Sequence, residues 1–164
     1  MNAPQAKSSL RFPLKSHGAE FLVQGYLMRR NILTYKAPPN NEGYDLICIH
    51  PDPGKKLHPI RVQVKSRYAT DCDRGFPVKE QTFINFDFLI VAFLNVGNFY
   101  RSRAAGKQEP EFYTLPTEFI KQHHNKTSSW EKVLLRGLDI EEYKNERAFE
   151  LIATALEIPY PSRP

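Results

Sequence analysis

The chain has 164 residues, 41% of them hydrophobic, which is enough for one compact domain that buries its core without disulfide or metal staples. No stretch has the apolar length of a membrane span, Met1 to Pro13 is polar without a signal-peptide core, and Cys48 in an apolar strand with Cys72 in a polar loop argues against a structural disulfide. These features predict a soluble cytoplasmic protein with no membrane partner, and the net charge of +5 with a pI near 9.2 favours a polyanionic one.

Met1 to Lys15 lacks periodicity and reads as a flexible basic arm, charged through Lys7, Arg11 and Lys15. From Ser16, a suitable N-cap, Ala19, Leu22, Val23, Tyr26 and Leu27 recur at helical spacing until Asn31, and Glu20 falls at the edge of that stripe. Ile32 to Tyr35 is a short strand closed by Pro38-Pro39-Asn40-Asn41. Tyr44-Asp45-Leu46-Ile47-Cys48-Ile49-His50 is a second strand, with one carboxylate, Asp45, at its start. After the turn cluster Pro51-Asp52-Pro53-Gly54, the run Ile60 to Lys65 alternates, so that Arg61, Gln63 and Lys65 take one face and Ile60, Val62 and Val64 the other. An antiparallel hairpin through that turn brings Asp45 opposite Gln63 to Lys65. A carboxylate, an amide oxygen and an ammonium at one end of a sheet suit a hard divalent cation and a polarised water, as phosphodiester hydrolysis requires.

Tyr68 to Thr82 is polar and reads as an irregular binding loop, with Asp71, Asp73 and Gly75. Leu89 to Val96 is a continuous apolar run, predicting a central strand buried on both faces. Phe99-Tyr100 and Phe112-Tyr113-Thr114 supply further strands, joined by a long hairpin tip over Arg101 to Pro110 with Gly106 and Lys107 at its apex. Ser128-Ser129-Trp130-Glu131 resembles a capping box, with Val133 and Leu134 on the helix that follows and Trp130 as a core or interface anchor. Asp139 and Glu142 suggest a second cap, before a helix carrying Ala148, Leu151, Ile152, Ala155 and Leu156 as an apolar stripe. That stripe must pack on its own core or on a second subunit.

From Glu131 onward five Lys or Arg face seven Asp or Glu, a net of −2, which leaves +7 for Met1 to Trp130. Lys55, Lys56, Arg61, Arg67, Arg74 and Lys79 bracket the Asp45 and Lys65 region and are candidates for contacts with nucleic-acid phosphates. Cys48, His50, His58 and Cys72 are zinc-ligand types without zinc-site spacing, and adjacent His123 and His124 diverge on a helix as surface residues. No phosphate-cradling glycine loop occurs.

In the order His17-Gly18-Ala19-Glu20-Phe21, Tyr44-Asp45-Leu46, Gln63-Val64-Lys65 and Phe86 to Phe93, the chain resembles the PD-(D/E)xK nuclease superfamily over about Ser16 to Pro116. Gln63 stands where a carboxylate is commonest in that superfamily, and Pro51-Asp52 lies past the strand as turn chemistry. The resemblance implies an α/β fold, a restriction-endonuclease-like mixed central sheet flanked by helices with a C-terminal helical extension. The corresponding divisions are an arm over 1–15, a nuclease-like core over 16–127 and an extension over 128–164.

The resemblance further implies a deoxyribonuclease dependent on Mg2+ or Mn2+, an endonuclease or an enzyme resembling Holliday junction resolvases, acting on DNA; the oligomeric state stays open, with a homodimer expected if the apolar C-terminal helix pairs two copies. Asp45, Gln63 and the Val64 carbonyl would hold the metal, Glu20 would act directly or through water, and Lys65 would orient the attacking water. Glutamine supplies a lone pair without charge, so Glu20 and Asp45 remain the anionic groups. The alternative from another class is a nuclease-fold module that binds nucleic acid or a protein partner without cutting.

Overall fold

The computed structural model describes residues 12–71, 74–99, 101–103, 105–127 and 130–160. The expectations for Lys7, Arg11, Cys72, Asp73, Tyr100 and the Ser128-Ser129 cap fall outside the described residues, as does the side chain of Lys15.

Helix α1 spans Phe12–Arg29 and strands follow at Leu33–Lys36 (β1), Leu46–Ile49 (β2), Ile60–Arg67 (β3), Gly75–Pro77 (β4), Phe88–Phe93 (β5), Val96–Asn98 (β6), Ala105–Lys107 (β7) and Glu111–Pro116 (β8). The chain continues through α2 (Thr117–Gln122), β9 (His124–Asn125), β10 (Lys132–Leu134) and α3 (Asn145–Ala155), with 3-10 turns at Glu80–Asn85 and Glu141–Tyr143. The main sheet has the order β1-β2-β3-β5-β8, with β3 and β5 parallel and the other pairs antiparallel. Helices α1 and α3 bury their apolar sides on one face, where Ala19, Val23, Leu27, Ile90, Ala92, Phe149 and Ile152 share a core. The other face carries the small sheet β4-β10-β9 and its own core of Phe76, Leu89, Val91, Phe93, Leu115 and Val133. This is the expected mixed sheet flanked by helices.

Strand β5 lies at the centre because both of its faces are apolar. Leu89, Val91 and Phe93 point one way, Ile90 and Ala92 the other, and all are fully buried. The β2–β3 hairpin forms as alternation predicts, pairing Leu46 with Val62 and Ile47 with Arg61. Its turn is tied by the Gly54 amide donating to Asp52 Oδ1 at 2.8 Å. Asn31 does end α1, at φ 67, with the Ile32 amide donating to the Leu27 carbonyl and the Asn31 amide to Met28. That pair of bonds is a Schellman cap, which asparagine tolerates in the left-handed region.

Several expectations are corrected. The helix begins at Phe12, so Ser16 lies inside it rather than at its N-cap, and Phe12 to Lys15 belong to α1 rather than to an arm. Tyr68 to Thr82 is not an irregular loop throughout. The Gly75-Phe76-Pro77 stretch pairs as β4 with β10, and burial of Phe76 and Val78 outweighs their polar flanks. The apolar run expected to continue to Val96 breaks after Phe93, because buried Asn95, at φ 50, bonds the Thr70 amide and the Glu109 carbonyl and turns the chain. Val96 then starts β6, which pairs with β7 so that Gly106 and Lys107 lie in the returning strand and not at the hairpin apex.

Phe99 falls outside any strand. Lys132–Leu134 is strand β10 rather than helix, since burying Val133 between β4 and β9 satisfies its backbone in a sheet. Trp130 is exposed rather than a core anchor. On α3 the buried stripe is Ala148, Phe149, Ile152, Ala153 and Leu156, while Leu151 is half-buried and Ala155 exposed. The stripe packs on this chain's own core beside β8 and α1. No helix among the described residues is long and apolar enough to cross a membrane.

Candidate functional site

Asp45 sits where β2 begins and straddles the strand beside it. Its amide donates to the Val62 carbonyl at 2.9 Å, and its Oδ2 accepts the Val64 amide at 2.7 Å, so the residue brackets Gln63. The carboxylate thereby takes the place of a ladder carbonyl just past the strand end. In an extended chain the N–H and C=O of one residue point to the same side. The Val64 carbonyl is therefore directed towards Asp45 rather than towards β5.

Gln63 and Lys65 project from the opposite face of β3 to Val62 and Val64, and their partners across the parallel pair are Leu89 and Val91. These apolar neighbours strip water from both side chains. Burial pushes the Asp45 carboxyl above its ordinary value, with Glu20 adding to the rise and the Val64 amide, Lys65 and Lys36 opposing it. Burial likewise pulls the Lys65 ammonium below the ordinary lysine range; Asp45 opposes this and Arg67 reinforces it. Two ionisable groups that depart from their ordinary values in opposite directions, each desolvated and each acting on the other, are characteristic of functional clefts.

Gln63 Oε1 is buried and has no hydrogen-bond partner among the described residues. An amide oxygen left unpaired in the interior costs about 1–3 kcal/mol. Asp45, Gln63 and the Val64 carbonyl supply hard oxygen donors from adjoining positions where β2 and β3 pair, a donor chemistry that suits Mg2+ or Mn2+ rather than a soft metal.

Glu20 approaches from the other side. It lies on α1, with only 12% of its side chain exposed, and is ion-paired with Lys36 of β1. Lys36 pairs in register with Leu46 and so belongs to the α1 face of the sheet, where it also lies 4.8 Å from the Phe21 ring centroid. The structure thus ties Asp45 to the Val64 amide and to the charge of Lys65, sets Gln63 on the strand face of Lys65, and brings Glu20 close enough to act on the charge of Asp45, but engages the Glu20 carboxylate with a lysine. Lys36 escaped the sequence reading because it stands 16 residues from Glu20 and no short motif links them.

The candidate phosphate contacts divide by what already holds them. Arg61 is committed to Asp87, which accepts from its amide at 2.7 Å and from its guanidinium at 3.2 and 3.1 Å, while Nη1 donates to the Ile84 carbonyl at 2.9 Å. Arg67 donates to the Gly75 carbonyl and stacks over Phe76, and Lys55 lies 3.6 Å from Glu157. Lys56 and Lys79 are exposed, and Arg74 stacks over Phe93. Arg61→Ala is therefore expected to lower stability by about 1–2 kcal/mol, as loss of a half-exposed bidentate pair does, with DNA affinity unchanged. Urea midpoints and DNA anisotropy decide it, and a weakened complex with unchanged stability would return Arg61 to the phosphate contacts.

Of the zinc-ligand types, Cys72 lies outside the described residues, and no group of three His, Cys, Asp or Glu able to hold a metal ion occurs among those described. Burial pushes the Cys48 thiol up to about 12, away from a ligating thiolate. His124 is not a surface residue. Its ring is buried against Phe83 with Nε2 2.8 Å from the Val78 carbonyl, because it lies in β9 rather than on a helix.

The sequence matches no family model and no curated protein. Solved structures similar to it include a bacterial homing endonuclease, at 16% identity and a TM-score of 0.48, covering 90% of this chain and 94% of that one. Another is the Holliday junction resolvase Hjc of Archaeoglobus fulgidus, at 12% identity and a TM-score of 0.46, covering 90% of this chain and 99% of the other. Likenesses at these scores carry no functional weight, and the site stands on its own side chains.

Proposed function

We propose that the chain is a deoxyribonuclease dependent on a divalent metal, an endonuclease or a resolvase of branched DNA. The observation that carries this reading is the buried Gln63 oxygen, without a partner among the described residues, one position from the Val64 amide that Asp45 accepts and on the same face of β3 as a desolvated lysine. Asp45, Gln63 and the Val64 carbonyl would hold Mg2+ or Mn2+, which when bound supplies Lewis-acid stabilisation of charge on the scissile phosphate. Lys65 orients the attacking water by hydrogen bonding and places its positive charge where the phosphoryl oxygens gain negative charge. The water oxygen bonds to phosphorus as the ester bond to the leaving sugar oxygen breaks; the water gives one proton to solvent and the leaving oxygen takes one from solvent. Glu20 acts at one remove, its ion pair with Lys36 setting the field around Asp45.

Supercoiled plasmid and a four-way junction incubated with Mg2+ or Mn2+ are expected to be nicked, and chelator is expected to stop the reaction while binding persists. Binding without nicking on both substrates, at either metal, would establish the non-cutting module instead.

A further inference from the structure

Three arginines from three separate segments line one cavity of about 290 Å³ beyond the C-terminal end of β3, together with Thr70, Asp71 and Gly137. Arg74 follows β3, Arg101 lies in the connection between β6 and β7, and Arg136 follows β10. Hydrogen bonds fasten the segments to one another. Asp71 Oδ2 accepts the Arg101 amide at 2.9 Å and the Ser102 amide at 3.4 Å, and the Leu135 amide donates to the Arg74 carbonyl at 3.1 Å. Thr70 is anchored to the Asn95 side chain through its amide at 2.9 Å and its hydroxyl at 3.2 Å.

Among the described residues the cavity lining is predominantly cationic. No ion pair involves Arg74, Arg101 or Arg136 among the described residues. One carboxylate lines it among the described residues, that of Asp71, whose Oδ2 accepts two backbone amides. Three guanidiniums against one carboxylate leave an excess that a phosphate group neutralises, and guanidinium forks match phosphate oxygens in geometry. The cavity also lies on the same side of the main sheet as Gln63 and Lys65. Arg74 stacks over Phe93, which shares that face with Leu89 and Val91 through the register of β3 and β5.

We infer that the Thr70, Arg74, Arg101 and Arg136 cavity is a phosphate subsite for the polynucleotide backbone, remote from the bond that is cut. The identity of the polyanion rests on the nuclease reading; the phosphate site itself does not. Thr70 follows Lys65 by five residues, so their Cα atoms lie within about 18 Å, roughly five nucleotide steps along one strand at about 3.4 Å each. The subsite would fix the register of the DNA without reading its sequence.

The test compares the wild-type chain, the double variant Arg101→Ala/Arg136→Ala, and a charge-matched control, Arg29→Ala/Arg147→Ala, on the α1 and α3 side. Anisotropy of a labelled duplex and of a four-way junction is measured in chelator over a salt series. The cavity variant is expected to bind about tenfold or more weakly, with the log–log salt slope reduced by about one, while the control changes less than twofold. Equal losses in both variants, or none in the cavity variant, overturn the subsite, and plasmid nicking by wild type would still uphold the nuclease reading. If wild type neither binds nor nicks DNA, titration with inorganic phosphate followed by NMR decides: saturable shifts of the Thr70 and Gly137 amides, lost in the cavity variant, uphold a phosphate site with a different polyanion. Absence of those shifts overturns it.

Discussion

Asp45→Asn is expected to reduce metal-dependent nicking at least about a hundredfold, the scale on which one electrostatic group supports a transition state, and at the same time to raise the unfolding midpoint near neutral pH. Burial holds the folded-state pKa of Asp45 above its unfolded value. Such a group contributes stability that is fully present below the unfolded pKa and is lost as pH rises through the folded one. At neutral pH the ionised carboxylate is therefore a net cost to the fold. Asparagine removes the charge but keeps an oxygen to accept the Val64 amide, so the local backbone arrangement survives. The difference in midpoint between variant and wild type should shrink on acidification through the raised pKa and vanish below the ordinary aspartate range.

Lys65 carries the opposite sign and the same lesson. Its folded pKa is depressed by burial, so the stability linked to it is present above the ordinary lysine value and is lost as pH falls through the folded one. Lys65→Ala should abolish nicking with DNA binding in chelator intact. Wild-type nicking by Asp45→Asn, or a lowered midpoint at pH 7, would reduce Asp45 to a strand-end cap for Val64.

What the sequence disclosed follows the physics of each element. The β2–β3 hairpin was legible because strict alternation meets a Pro-Asp-Pro-Gly turn, and Gln63 and Lys65 on β3 came with it, as did Asp45 at the residue before β2. Strand β5 announced itself by an unbroken apolar run. The small sheet was illegible, since β9 and β10 span two and three residues and Val133-Leu134 suits a helix as well as a strand. The Glu20–Lys36 pair depends on how α1 lies across β1, which no local pattern encodes. The arginine cavity was equally hidden: Arg74, Arg101 and Arg136 meet through three loops fastened by hydrogen bonds.

Phe149→Ala is expected to cost about 3–5 kcal/mol of stability, a large share of what a domain of this size possesses. Phe149 is almost fully buried, with ring centroids 6.0 Å from Phe112 on β8 and 6.3 Å from Tyr26 on α1. It joins the last helix, the sheet and the first helix at one point. Alongside it, Arg30 of the α1 terminus ion-pairs with Glu150 through two nitrogens and donates from Nη1 to the Pro159 carbonyl at 3.1 Å. Ile152→Val, at a fully buried neighbour, gives a milder case at about 0.5–1.5 kcal/mol that survives if the alanine variant does not fold. Both follow from α3 belonging to the core that carries β2 and β3. Urea unfolding should stay a single transition in each variant, with the midpoint moved. A separate early transition for the C-terminal segment, or a cost below about 1 kcal/mol for the alanine variant, would make α3 an appendage, and the positions of Asp45 and Lys65 would then owe nothing to it.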